Sequence, residues 1–148
     1  MRKNTDPAQA ALAARGAPVK CTLDNDPRLI AGAGAIAAYA ARRAELSERM
    51  QEDVFAAAVE ACRETFLATG GTGGVLAMSS ALEFGVTGFS DRVEITIESS
   101  GGAVPSVKSA EQIGKRLEGT LAARVQCEIR DGRFCVSLVK FAGTGAKA

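Results

Sequence analysis

The chain of 148 residues has no histidine and no tryptophan, a single tyrosine, and only four cysteines. Without histidine there is no Ser-His-Asp or Cys-His catalytic machinery, and histidine-containing zinc sites are excluded as well. Without tryptophan, and with aromatics at 5% of the residues, aliphatic side chains and alanine must fill the core. Cys21, Cys62, Cys127 and Cys135 form no Cys-x-x-Cys pair, and each sits among apolar neighbours. They read as small buried thiols in a reducing compartment rather than as a disulfide framework. The net charge is only +1, with both signs mixed along the chain, which argues against a nucleic-acid footprint or a polybasic membrane patch. No apolar run approaches the roughly 20 residues needed to span a bilayer. The opening MRKNTDPAQAALAARGAP has a basic pair, but Asp6, Pro7 and Arg15 interrupt any hydrophobic stretch, so no signal peptide is expected and the location implied is cytoplasmic.

What is present is one domain's worth of alternating patterns. Residues 1–18 are expected to form a flexible arm with a short helix over AQAALAARG, residues 19–142 the folded domain, and residues 143–148 a frayed tail. Val19, Cys21 and Leu23 alternate as a half-buried strand does. DNDP then supplies a helix cap with Pro27 in the first turn, and Leu29, Ala33, Ile36 and Ala40 recur at helical spacing to about Arg43. Ser47 and Glu48 can start a second helix to about Ala68, whose Val54, Ala58, Ala61, Cys62 and Thr65 share one side. TGGTGG at 69–74 ends it; lacking Gly-Lys-Ser/Thr, it is a connector rather than a P-loop. Leu82, Phe84 and Val86, then Val93, Ile95 and Ile97, flank a turn at Gly88-Phe89-Ser90-Asp91. A third helix from Ser106 to about Ala123 would turn Val107, Ile113, Leu117 and Leu121 inward. A final hairpin places Val125, Cys127 and Ile129 against Phe134, Val136 and Leu138 across an Asp131-Gly132 turn. The order β-α-α-β-β-α-β-β predicts an α+β two-layer sandwich: a mixed or antiparallel five-stranded sheet covered on one face by three helices.

Two carboxylates stand out in AAVEACRETF. Glu60 and Glu64 lie one helical turn apart, and with Asp53 they fall nearly opposite the side that carries the core residues. From helix geometry alone they are a solvent-facing pair.

The element order, with an acidic residue late in the second helix and glycines after the third strand, resembles the GHKL-type ATPases. Within these it is most similar to the small bacterial anti-sigma-factor serine/threonine kinases, over about residues 19–141. In that family the helix carries Glu-Ala-x-x-Asn, the Glu a general base and the Asn a magnesium ligand. Here the run is Glu60-Ala61-Cys62-Arg63-Glu64, so a carboxylate stands at the metal position. The family's Asp-x-Gly-x-Gly, whose Asp reads adenine, meets Glu98-Ser99-Ser100-Gly101-Gly102 here. Ser99 takes the Asp position, Gly101 matches the first glycine, and Ala103 replaces the second. Glu98 could serve only by slipping one residue, onto the other face of the strand. The family's lid ends in Gly-x-Gly-Leu; here Gln112-Ile113-Gly114-Lys115 falls at the matching place, with about Val104 to Glu111 left as a lid.

The resemblance therefore implies Glu60 as catalytic base, Glu64 as metal ligand, and Ser99, Gly101, Gly102 and Gly114 as nucleotide contacts, with ATP and Mg²⁺ as cofactors. It also implies a homodimer and a sigma factor or an anti-sigma antagonist as partner. Because metal, adenine and phosphate contacts are altered together, the nucleotide site reads as degenerate. Two functions stay open: an ATP-dependent regulatory serine/threonine kinase of the anti-sigma type, and a non-catalytic interaction module that keeps the fold without using ATP.

Overall fold

A computed structural model describes residues 16–70 and 80–143. The expected arm over residues 1–15, most of the glycine connector, and the tail from residue 144 lie outside the described residues. The elements are β1 (Val19–Asp24), α1 (Pro27–Arg43), α2 (Glu48–Gly70), β2 (Ala81–Gly88), β3 (Arg92–Ser100), α3 (Val107–Leu121), β4 (Arg124–Arg130) and β5 (Arg133–Phe141). The five strands form one sheet in the order β1-β2-β3-β5-β4. Every neighbouring pair is antiparallel, so of the two sheet types predicted the antiparallel one is realised. β5, last in chain order, is inserted between β3 and β4. The α+β two-layer arrangement expected from the element order is the one observed.

Local chemistry sets the element ends. Asp26 caps α1: its carboxylate accepts the Arg28 amide at 2.8 Å while Pro27 occupies the first turn. The Arg28 guanidinium on the same carboxylate holds the Asp26 pKa below its ordinary value. Ser47 Oγ accepts from the Met50 amide at 3.1 Å to start α2, and Ser106 Oγ accepts from the Ser109 amide at 3.1 Å to start α3. α3 ends at Ala122 in the left-handed region, and the Lys140 ammonium donates to the carbonyls of Leu121 and Ala122 at 2.9 and 3.0 Å. Asp131 (φ 54°) and Gly132 (φ 74°) form the tight turn between β4 and β5.

The core joins small helical residues to large strand residues. Phe84, Phe134, Leu82, Ile95, Ile97, Val136 and Leu138 rise from the sheet. Above them lie Ala33, Ala37 and Ala41 of α1 and Val54, Ala58, Ala61, Cys62 and Thr65 of α2, all with no exposed surface. α1 and α2 approach closely at Gly34, where a methyl group would lie 2.9 Å from Val59 Cγ2. Two stripe assignments differ from the sequence reading. In α1 the buried line runs through Ile30, Ala33, Gly34, Ala37, Ala40 and Ala41, leaving Leu29 40% exposed. Leu29 and Ile30 are adjacent and nearly everything after them is alanine or glycine, so periodicity alone cannot choose between two adjacent stripes. In α3 the buried residues are Ala110, Gly114 and Leu117, while Val107 is 65% exposed because it opens the helix ahead of the stripe that packs.

The cysteines are free thiols, and Cys62 and Cys135 are buried. Burial, with a smaller contribution from Cys21, pushes the Cys62 thiol up to about 12, and burial takes Cys127 to about 11. A thiol raised in the folded state contributes stability below its ordinary value of 9.0 and loses it as pH climbs toward the folded value. Urea midpoints are therefore expected to fall between about pH 9 and 11. They should fall less steeply in Cys62→Ala; equal slopes would remove Cys62 as a source.

Candidate functional site

The six candidate residues lie on three parts of the fold: Glu60 and Glu64 on α2, Ser99 at the end of β3 with Gly101 and Gly102 in the turn after it, and Gly114 on α3. Glu60 points partly outward: its side chain is 30% exposed, and Arg63 Nη1 donates to Oε1 at 3.0 Å one turn along. Glu64 does not face solvent as a single-sided helical projection predicts. Its side chain is only 17% exposed and forms an ion pair with Arg116 of α3. A projection sees one packing face, whereas α2 packs on the sheet beneath it, on α1 along one flank and on α3 through this ion pair.

Ser99 lies on the helix side of β3 and is 2% exposed. Its hydroxyl accepts the Phe134 amide at 2.9 Å, next to the last β3–β5 pair, Glu98 with Cys135. That bond satisfies a buried N–H where the ladder stops. Glu98 projects from the opposite, uncovered face of the sheet, where Arg133 Nη1 donates to it at 2.8 Å.

Gly101 and Gly102 both have positive φ, 75° and 73°. Gly102 packs against the end of α2: a methyl group there would sit 2.5 Å from the Thr69 carbonyl oxygen and 3.0 Å from Ser80 Cβ. The same carbonyl accepts the Ala103 amide at 2.6 Å. Thr65 and Thr69 in turn donate to carbonyls one turn back, at 2.7 and 2.8 Å, which satisfies their buried hydroxyls inside the helix. The glycine turn is thus a joint between the sheet and the α2 terminus.

The segment read as a lid is shorter than expected, because Ser106 caps a helix that already includes Val107 to Glu111. Gly114 lies in the middle of α3, not at its N-terminus. Its Cα faces Cys127 of β4, where an added methyl group would meet Sγ at 3.5 Å. Its backbone is therefore part of a helical ladder rather than a free amide cradle.

Elsewhere lies a concavity that the sequence did not single out. On the uncovered face of the sheet, a hollow of about 370 Å³ opens over Gly85, walled by Lys20, Thr22, Glu83, Thr96, Glu98 and Ser137. The pairing register puts Glu83 directly opposite Glu98 there, and Arg133 offsets one of the two charges. The polar positions of the alternating strands were the available signal. A period-2 pattern marks that face as uncovered, but only the register brings these residues together. Among the described residues no group of three or more metal-ligating side chains is gathered in a metal site, and no described helix is long and apolar enough to cross a membrane.

Comparison with protein-family models and with curated proteins returns no match.

Three substitutions probe these contacts, with Gly132→Ala in the β4–β5 turn as the reference. Gly102→Ala is expected to cost about 2–5 kcal/mol, combining left-handed strain with the clash on Thr69. Gly132→Ala, with positive φ but no atom within 4 Å, should cost only about 1–2 kcal/mol. Ser99→Ala strips the Phe134 amide of its acceptor and is expected to cost about 1–3 kcal/mol. Urea denaturation checks all three.

Proposed function

We propose that this chain is a regulatory protein-interaction domain of the anti-sigma type, built on a histidine kinase-like ATPase fold that does not run ATP chemistry. What carries this reading is the engagement of the residues at the nucleotide-handling positions. Glu64 is ion-paired with Arg116, the Ser99 hydroxyl is bound to the Phe134 amide, Gly102 is wedged on Thr69, and Gly114 is packed on Cys127. For Mg²⁺ to use Glu64, the Arg116 pair must open. For adenine to reach Ser99, a buried amide must lose its partner, at about 1–3 kcal/mol. For a phosphate to meet helix amides near Gly114, α3 must unwind there. ATP binding would have to offset all of these costs together.

On this reading the partner is a sigma factor or an anti-sigma antagonist, and the homodimer implied by the family resemblance belongs to the same proposal. The kinase reading draws its support from Glu60, which keeps a partly exposed carboxylate at the base position.

Titration calorimetry with Mg-ATP separates the two. The expected outcome is no saturable binding in the micromolar range, and a clear micromolar isotherm would overturn the non-catalytic reading. In that event Glu60→Ala should abolish phosphoryl transfer to a protein partner while leaving nucleotide affinity in place. On the reading proposed here, Glu60→Ala changes stability by no more than about 0.5 kcal/mol, since it removes only an exposed ion pair with Arg63.

A further inference from the structure

Both layers of the fold stop at β1 with that side open. Among the described residues β1 pairs with β2 alone, so the backbone N–H and C=O groups on its other side meet no strand. Lys20, Thr22 and Asp24 alternate along the uncovered face of this edge and are all exposed, while Val19 and Cys21 on the helix face are only partly buried. The helical layer ends in the same direction with an apolar flank. Leu29, Ile36 and Arg43 follow one another at seven-residue spacing along α1 and so share one side of it. A hollow of about 230 Å³ lined by Val19, Tyr39 and Arg43 sets that side over β1, away from the flank that meets α2 at Gly34. Leu29 is exposed there, and Ile36 is only partly buried.

The edge charges select an occupant. Among the described residues neither Lys20 nor Asp24 has an ion-pair partner. If β1 pairs antiparallel with its own copy, side chains of one face must stay opposite side chains of the same face. Centring that pairing on Thr22 sets Lys20 opposite Asp24 of the other copy at both ends, with Cys21 opposite Leu23 on the helix face. Centring it on Lys20 or Asp24 sets like charges together, and centring it on Cys21 or Leu23 matches no opposite charges within the strand. The other sheet edge is no equivalent. On β4, Glu128 is already held by Arg130 at 3.3 Å, Arg124 lies over the Phe141 ring, and α3 exposes Lys108, Glu111, Lys115 and Glu118. We infer that a second copy of this chain docks on β1, antiparallel and centred on Thr22, joining the two sheets into one with the apolar α1 flanks meeting above the axis. The inference deepens the homodimer of the proposed reading and rests on that part of it, while neither ATP nor a sigma factor enters.

Sedimentation velocity on the full chain tests this, with a dimer expected in the micromolar range. Lys20→Asp makes both charged edge positions acidic, and Asp24→Lys makes both basic. Each alone should raise the dimer dissociation constant at least about tenfold, with unchanged circular dichroism. An equimolar mixture of the two variants should dimerise as the parent chain does, because every edge charge then meets its opposite. Placing both substitutions in one chain should restore the dimer in the same way. Thr22→Cys should oxidise to a covalent dimer, since the Cα atoms of directly opposed antiparallel residues lie about 4.5–5.5 Å apart, within disulfide reach. Lys20→Cys, which faces Asp24, should not, and neither should the parent. A dimer indifferent to both charge reversals, a mixture no tighter than its components, or a Thr22→Cys chain that fails to cross-link overturns this interface and leaves the homodimer itself standing. A chain that stays monomeric throughout the micromolar range overturns the interface and the homodimer together, and calorimetry with Mg-ATP is decided separately from either.

Discussion

The division of size between the two layers governs this fold. The helices bury mostly alanine and glycine, with a few larger residues such as Val54, Phe66 and Leu117, and the strands contribute phenylalanine, leucine, isoleucine and valine. Small-on-large packing lets α1 and α2 lie close to each other and to the strands while keeping interior density high. It also leaves little slack: the close contact at Gly34 has no room for a methyl group without moving Val59 or Phe55. Because alanine offers little area, the strand residues supply most of the apolar burial that holds the domain together.

The same close approach shapes the candidate site. α2 ends where its last carbonyls meet the glycine turn, so Thr69, Gly102 and Ala103 form a backbone joint with no intervening side chain. α3 then lies beside α2 across the Glu64–Arg116 pair and rests on β4 through Gly114. A pocket between helices and sheet needs side chains that stand back from the cleft. Here Glu64, Ser99, Gly102 and Gly114 are each engaged by a neighbour within the fold.

The strands and turns were legible in the sequence because alternation and turn chemistry act locally: Asp131-Gly132 can do little but turn, and Val93, Ile95 and Ile97 can face only one layer. The α2 core side was equally plain, since Val54, Ala58, Ala61, Cys62 and Thr65 are all fully buried. The α1 stripe was not, because alanine carries almost no signal about which way it faces. Glu64 escaped for a different reason. Its environment is set by Arg116, far along the chain, and no local period encodes a neighbour brought in by tertiary packing. The contacts of Ser99 and Gly102 depend in the same way on where Phe134 and Thr69 arrive. Residue identity marked these positions, but the partners that occupy them are a property of the assembled fold.

The place of β5 between β3 and β4 bears on how the chain is made. It is the last of the five strands to leave the ribosome, yet β4 has no other strand to pair with. During synthesis, β1, β2 and β3 can assemble as a meander under α1 and α2, while the β3 edge and the apolar faces of Ile95 and Ile97 stay partly uncovered. Only the arrival of β5 closes that edge and brings in β4 with α3 attached, tied down by Lys140 at the end of α3. The nascent chain thus exposes an unpaired strand edge until nearly all of the domain has emerged, the interval in which chaperones and neighbouring nascent chains compete for it.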